Sequence, residues 1–163
     1  MSATIAIQPL SKDAFAPFGQ VLTIEGAHHY AINNGMTERF HDLADVEIGG
    51  PNGRTLISIF HGQPYRLPLA LKMVERHPLG SQAFMPLQSR PFLVVVAPDA
   101  DGVPGRPLAF LTAPGVGVNI GRNVWHGVLT PLEEAGDFLV VDRGGDGNNL
   151  EEYFFEEPYL VEG

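Results

Sequence analysis

Glu75, His77, Gln82 and His126 are the side chains whose types and spacing can do chemistry in this sequence. They fall on two segments, Glu75-Arg76-His77-Pro78-Leu79-Gly80-Ser81-Gln82 and Gly115 to Trp125-His126. In an extended chain residues two apart share a face, so Glu75 and His77 point the same way and Arg76 points opposite. Pro78 to Ser81 predicts a turn that returns Gln82 to that face, and His126 lies far enough downstream for two or three strands to intervene. A carboxylate and two imidazoles on one polar face can move protons or hold a divalent ion. Histidine serves either role, because its pKa near ~6.5 shifts easily across neutrality and its neutral nitrogen binds Zn or Ni.

The elements that must position these residues read as strands. Thr55 to Phe60, Leu69 to Val74, Phe92 to Val96, Ala109 to Leu111, Val124 to Leu129 and Phe138 to Val141 are β-branched or aromatic runs closed by Gly, Pro, Asn or Asp. A further strand is expected around Val21 to Ile24, after a short helix from Ser11 as N-cap to Phe15, ended by Pro17. Short strands without intervening helices predict an all-β sandwich or barrel. The tail from Glu151 to Tyr159 sets aromatics among carboxylates, which suits a docked terminal segment or a subunit contact.

Composition narrows the function classes. With 163 residues, 44% hydrophobic and 18% charged, the chain fits one domain, residues 1–163, and its 19 Gly and 14 Pro favour turns over long helices. A net charge of -9 leaves no basic face for a phosphate backbone, so nucleic acid is not an expected partner. Scattered arginines suit a small acid instead, since a guanidinium grips a carboxylate through two hydrogen bonds. The absence of cysteine removes disulfides and thiolate chemistry, leaving His, carboxylate or amide for any metal. No window approaches a membrane helix and Met1 to Ile7 does not look like a secretory leader, so a cytoplasmic protein without membrane contact is expected.

The first segment resembles the cupin pattern, a His-x-His motif followed by Glu, with one more His in a second motif. Glu75 stands at the first histidine, His77 at the second, Gln82 at the glutamate and His126 at the last. The resemblance narrows over most of the chain: Leu10 to Gly19, Ile32 to Leu43, Glu75 to Pro86, Asn119 to His126 and Val141-Asp142-Arg143 are similar to the ureidoglycolate lyase family. It implies a cupin-type β-barrel of jelly-roll-like antiparallel sheets with one or two short helices. It also implies a homodimer that splits ureidoglycolate into glyoxylate and urea in allantoin and purine catabolism. Two of the four cupin ligands are replaced, so any divalent metal, Ni or Zn on His77, His126, Glu75 and Gln82, is expected to bind weakly. No organic cofactor is expected.

That reaction removes a hydroxyl proton, forms a carbonyl and protonates a departing nitrogen, while a cation holds a carboxylate. Glu75, His77 and His126 are the expected acid and base set, with Glu75 the base in a metal-free site and a ligand in a metal site. Candidate substrate contacts are Gln82, Asn34, Arg39, Arg90, Asn119 and Arg122, the arginines competing for the carboxylate. The structural alternatives are a turn-capping His77, an interior His126 bonded to a carbonyl, and a turn-exit Gln82. His28 and His29 read as strand-edge residues, His61 as a turn residue, and Asp142 as a partner of Arg143 or a turn cap. Two other readings stay open: a metal-dependent hydrolase or isomerase of another hydroxy acid, and a non-catalytic cupin that binds a small acid. Glu75 separates them, because a binding module has little need of a buried base.

Overall fold

The computed structural model describes residues 3–163; Met1 and Ser2, at the head of the segment read for a leader, lie outside them. The strands are Thr4–Pro9 (β1), Gly19–Leu22 (β2), His29–Ile32 (β3), Thr37–Phe40 (β4), Arg54–Gly62 (β5), Leu69–Arg76 (β6), Gln82–Pro86 (β7) and Phe92–Ala97 (β8). They continue as Asp99–Ala100 (β9), Val103–Pro104 (β10), Leu108–Leu111 (β11), Gly117–Ile120 (β12), Trp125–His126 (β13), Thr130–Pro131 (β14), Gly136–Gly144 (β15) and Glu151–Glu162 (β16). The one α-helix, Lys12–Phe15 (α1), starts where the sequence predicts: the Ser11 hydroxyl accepts from the Ala14 amide at 3.1 Å. A 3-10 turn, Asn33–Gly35, joins β3 to β4.

The larger sheet runs β11-β1-β16-β6-β13-β8-β14, and an added β11–β8 pairing closes six of these strands into a ring. A five-stranded sheet, β2-β12-β7-β15-β5, packs against it, and β3–β4 stands apart as a two-stranded hairpin. This is the expected cupin-type barrel with one difference. β1 runs parallel to both β11 and β16, so the sheets are not wholly antiparallel. The long pairing of β16 with β6 gives the acidic aromatic tail its place as a ring strand.

β8 shows how the two cores form. All six residues are buried, and alternation sends Leu93, Val95 and Ala97 into the ring with Val74, Trp125 and Val161. Phe92, Val94 and Val96 face the five-stranded sheet and meet Phe84, Val118, Phe138 and Val140. Fully burying each such side chain stabilises by about 1.5–3 kcal/mol. On β6, Leu71 and Val74 both belong to the ring core although three residues apart, beside a register shift against β16 between Phe154 and Tyr159. The alternation therefore resets. Val74 and Arg76 face the ring, and Glu75 and His77 face the gap between the sheets.

One expected strand is shorter than its composition suggests. Val124 to Leu129 is ladder-paired only at Trp125–His126, after which the Gly127 amide donates to Val95 O and Val128 and Leu129 turn to line a cavity. Their β-branched and apolar character serves that wall.

Candidate active site

A cavity of about 480 Å³ opens between β6–β13 and the inner face of β7 and β5, walled by Phe60, Phe84, Val128 and Leu129. Glu75, His77, Gln82 and His126 all line it, so the structure brings together all four residues that the spacing selects. Glu75 and His126 are direct cross-strand partners, and the rings of His77 and His126 are 5.1 Å apart.

His126 is 2% exposed. Its Nδ1 lies 2.9 Å from Gly127 O, so Nδ1–H donates and Nε2 carries the lone pair. That Nε2 is buried without a hydrogen-bond partner, in a chamber that can supply one only from a ligand or solvent. Burial pushes the pKa down to about 4, the bond to Gly127 O pulls it back up, and His77 pushes it down. The ring is neutral near pH 7.

His77 faces two oxygens: Nδ1 lies 2.8 Å from Asn149 O and Nε2 lies 3.1 Å from Gln82 Oε1. Only a ring protonated on both nitrogens donates to both. Gln82 Nε2 in turn donates to Asp142 Oδ2 at 3.1 Å, which fixes the amide with its oxygen toward His77. Asp142 thus belongs to the site's network, not to Arg143. Arg143 is buried and donates instead to the carbonyls of Gly49, Pro51 and Asp146. Burial raises the pKa of Asp142, opposed by the Gln82 bond and by His77. Burial likewise raises Glu75, opposed by His77 and reinforced by Glu152.

The sequence reading passes over two residues. Asp142 continues the inward alternation Phe138, Val140, Asp142 on β15, and a carboxylate at such a position is the signal for it. His61 lies in β5 rather than in a turn and stands at the cavity mouth, its Nδ1 2.7 Å from Asp137 Oδ1. That pair follows from the β5–β15 register, which sets His61 opposite Asp137 and is invisible before the strands are paired.

The other expected contacts lie outside the cavity wall. Arg39 and Asn34 sit on the β3–β4 hairpin, where Asn33 (φ 53°) and Asn34 (φ 57°) serve the turn. Arg90 pairs with Glu134 at 3.0 Å and donates to Ala135 O; Arg122 donates to Pro78 O at 2.8 Å. Asn119 is buried in β12, its Nδ2 donating to Gln20 Oε1 and Asp45 O. Arg76 faces away as alternation requires, its guanidinium 4.2 Å from the Trp125 ring centroid and bonded to Glu151 and Asp99. The donors do not fit a divalent ion as arranged: His77 Nε2 is turned to Gln82, and among the described residues no three His, Asp or Glu side chains are placed to share one.

A closed barrel of cupin type, with a carboxylate and two imidazoles in the gap between its sheets, defines a scaffold for acid and base chemistry on a small polar molecule. The family model described as ureidoglycolate lyase matches residues 2–162, and the chain belongs to that family. It is 67% identical to a ureidoglycolate lyase of a Chelativorans species over 157 residues, 96% of this chain and 95% of that one. Identity is 61% to ureidoglycolate lyase 2 of Rhizobium meliloti, covering 97% of each chain. It is 62% to a ureidoglycolate lyase of Mesorhizobium japonicum, covering 96% of each.

Proposed function

We propose that the protein is a ureidoglycolate lyase, working as a homodimer in allantoin and purine breakdown, with Glu75 as base and His77 as acid. The observation that carries this reading is the half-buried Glu75 facing His77 and His126 in one cavity. The substrate carries a hydroxyl, a ureido nitrogen and a carboxylate around one carbon. Glu75 takes the hydroxyl proton, the oxygen's electrons form the aldehyde carbonyl, and the carbon–nitrogen electron pair leaves with the ureido nitrogen. The doubly protonated His77 ring gives that nitrogen its proton, so urea and glyoxylate depart and the proton returns from Glu75 to His77.

Each neighbour has a task in this scheme. Desolvation keeps Glu75 a stronger base than a solvated carboxylate. The neutral His126 offers its unpartnered Nε2 to a ureido N–H or the substrate hydroxyl, which orients the substrate for the transfer. Gln82, itself held by Asp142, keeps the His77 ring in place. The steps run through side chains alone, as the donor arrangement supports.

Three measurements test the reading. Native protein given ureidoglycolate should release urea and glyoxylate in equal amounts; ammonia in place of urea would make it a hydrolase. Glu75→Gln should lower kcat by about 10²–10⁴-fold, the usual worth of a positioned base, while still binding glyoxylate. A verified metal-free preparation should keep full activity, and loss restored by Ni or Zn would return Glu75 to the role of ligand.

A further inference from the structure

The proposed reaction needs a cation for the substrate's carboxylate, and the cavity wall contains no arginine or lysine. Most of the chain's arginines are engaged elsewhere. Arg76, Arg90, Arg106, Arg122 and Arg143 all donate to carboxylates or backbone carbonyls. Arg54 begins β5 at the end remote from the mouth, which lies at His61 and Gly62. Arg66 flanks a separate groove with Tyr65 and Glu133.

Arg39 is exposed and directly opposite Tyr30 in the β3–β4 register, on the face that also carries the clustered rings of His28 and His41. The hairpin's carboxylate, Glu38, lies on the other face, bonded to His29 at 2.6 Å. Arg39 thus shares a face with these rings, and among the described residues no carboxylate is paired with it. Hairpin residues His28 and His41 border β2, at one edge of the five-stranded sheet, whereas the cavity opens at β5, the other edge. Four strand spacings of about 4.8 Å separate those edges, so the hairpin of the same chain does not stand over the cavity mouth at His61.

The β5 edge is built to be covered. Its ladder is unpaired on one side, and Ile57 and Ile59 stand 76% and 64% exposed on its outer face, leading to His61 at the mouth. The hairpin tip offers the matching apolar side chain, Met36, 84% exposed. We propose that in a two-fold dimer the β3–β4 hairpin of each copy lies across β5 of the other, and Arg39 reaches the other copy's cavity mouth to bind the substrate carboxylate. Met36 then covers Ile57 and Ile59, and a cationic guanidinium meets a cavity lined by the carboxylate of Glu75, with Asp137 bonded to His61 at its mouth. Two-fold symmetry makes both contacts at once, giving two complete sites per dimer.

This inference rests on the lyase reading, and its test has an arm for each. Arg39→Ala should lower kcat/KM at least tenfold, chiefly through KM, with Arg39→Lys intermediate because it keeps the charge without the paired hydrogen bonds. Arg66→Ala should leave kcat/KM unchanged. Arg39→Ala and Glu75→Gln, assayed well below the native KM so that each is at least tenfold down, should regain about a quarter of native activity per chain after subunit exchange, because each mixed dimer holds one intact site. A mixture that stays inactive, an unaffected Arg39→Ala, or loss in Arg66→Ala overturns the proposal.

The geometric arm needs no activity. Since the chain has no cysteine, Met36→Cys mixed with Ile59→Cys should form a disulfide-linked pair on a non-reducing gel. Met36→Cys mixed with Phe154→Cys, on a distant exposed strand, should not. No link at Ile59, or a monomer in solution, overturns the dimer arrangement. A link at Ile59 with no urea released by native protein overturns the lyase reading instead.

Discussion

At the scale of single residues, the cavity gives two neighbouring imidazoles different surroundings. His126 is buried and neutral, and His77, a ring's width away, has oxygens at both nitrogens. That difference has a thermodynamic consequence. A histidine whose folded pKa is about 4, against about 6.5 unfolded, binds a proton in the unfolded chain first as pH falls. Its contribution to stability is complete above about pH 6.5 and is lost between there and about pH 4, to a total of about 3 kcal/mol. Glu75 and Asp142 act oppositely: their raised folded pKa values add stability as pH falls. Comparing native protein with His126→Gln separates the two. The penalty of the substitution, from denaturant unfolding, should be largest near pH 7.5 and shrink by about 3 kcal/mol by pH 4; a penalty independent of pH would mean His126 is not buried neutral. Much of this was legible in the sequence, because period-two alternation alone aligns Glu75 with His77 and sets Arg76 aside. Asp142 carried a signal in the alternation of β15, but its partner Gln82 and the pairing of His61 with Asp137 were not legible, since those partners lie more than fifty residues away in the chain.

At the scale of elements, the cavity depends on how closely β12 lies on β7, which carries Gln82 and Phe84. Gly117 opens β12, and a Cβ built there would meet Phe84 O at 2.3 Å and Met85 Cα at 3.1 Å. Backbone on a paired strand cannot yield as a side-chain tip can. Gly117→Ala should therefore push β12 off β7 and cost about 1–3 kcal/mol, as overpacking does. Gly115→Ala is the comparison: it has open space but a φ of +75°, so it carries only left-handed backbone strain of about 1–2 kcal/mol. Thermal unfolding and kcat/KM together decide the point, because only the Gly117 variant should also lose activity through displaced Phe84. Equal losses of stability with activity intact in both would show that the approach of β12 does not shape the cavity. The strands β2, β5, β6, β8, β11, β13 and β15 were readable from β-branched runs and turn residues, apart from Gly127 to Leu129, whose apolar character lines the cavity instead; β1, β3, β4 and the acidic tail strand β16 were not read as strands. The reset of alternation along β6 was not readable, because it comes from a register shift against β16, more than eighty residues downstream.

At the scale of the whole molecule, the ring is closed by strands from both ends of the chain. β16 lies between β1 and β6, pairing with Thr4 to Ala6 on one side and Leu69 to Arg76 on the other. Such pairings are long-range, and their closure entropy is offset only when the ring core around Val74, Val95 and Val161 is packed. The cavity's polar groups depend on that closure although none lies on β16: Glu75 lies near the end of β6 and His77 just follows that strand, whose other ladder is the brief β13. A chain ending at Leu150 keeps every cavity residue and Asn149, the partner of His77, but leaves β6 an unpaired edge and exposes the ring core. It should lose cooperative thermal unfolding and all lyase activity, and exchange the amides of β1 and β6 as fast as an unstructured chain. Adding the Glu151–Gly163 segment as a separate peptide should restore both in proportion to peptide bound, since a strand that binds only the folded form stabilises it by mass action. A truncated chain that still unfolds cooperatively and turns over substrate would place the fold's stability in the five-stranded sheet and its core, with the ring a consequence of that packing.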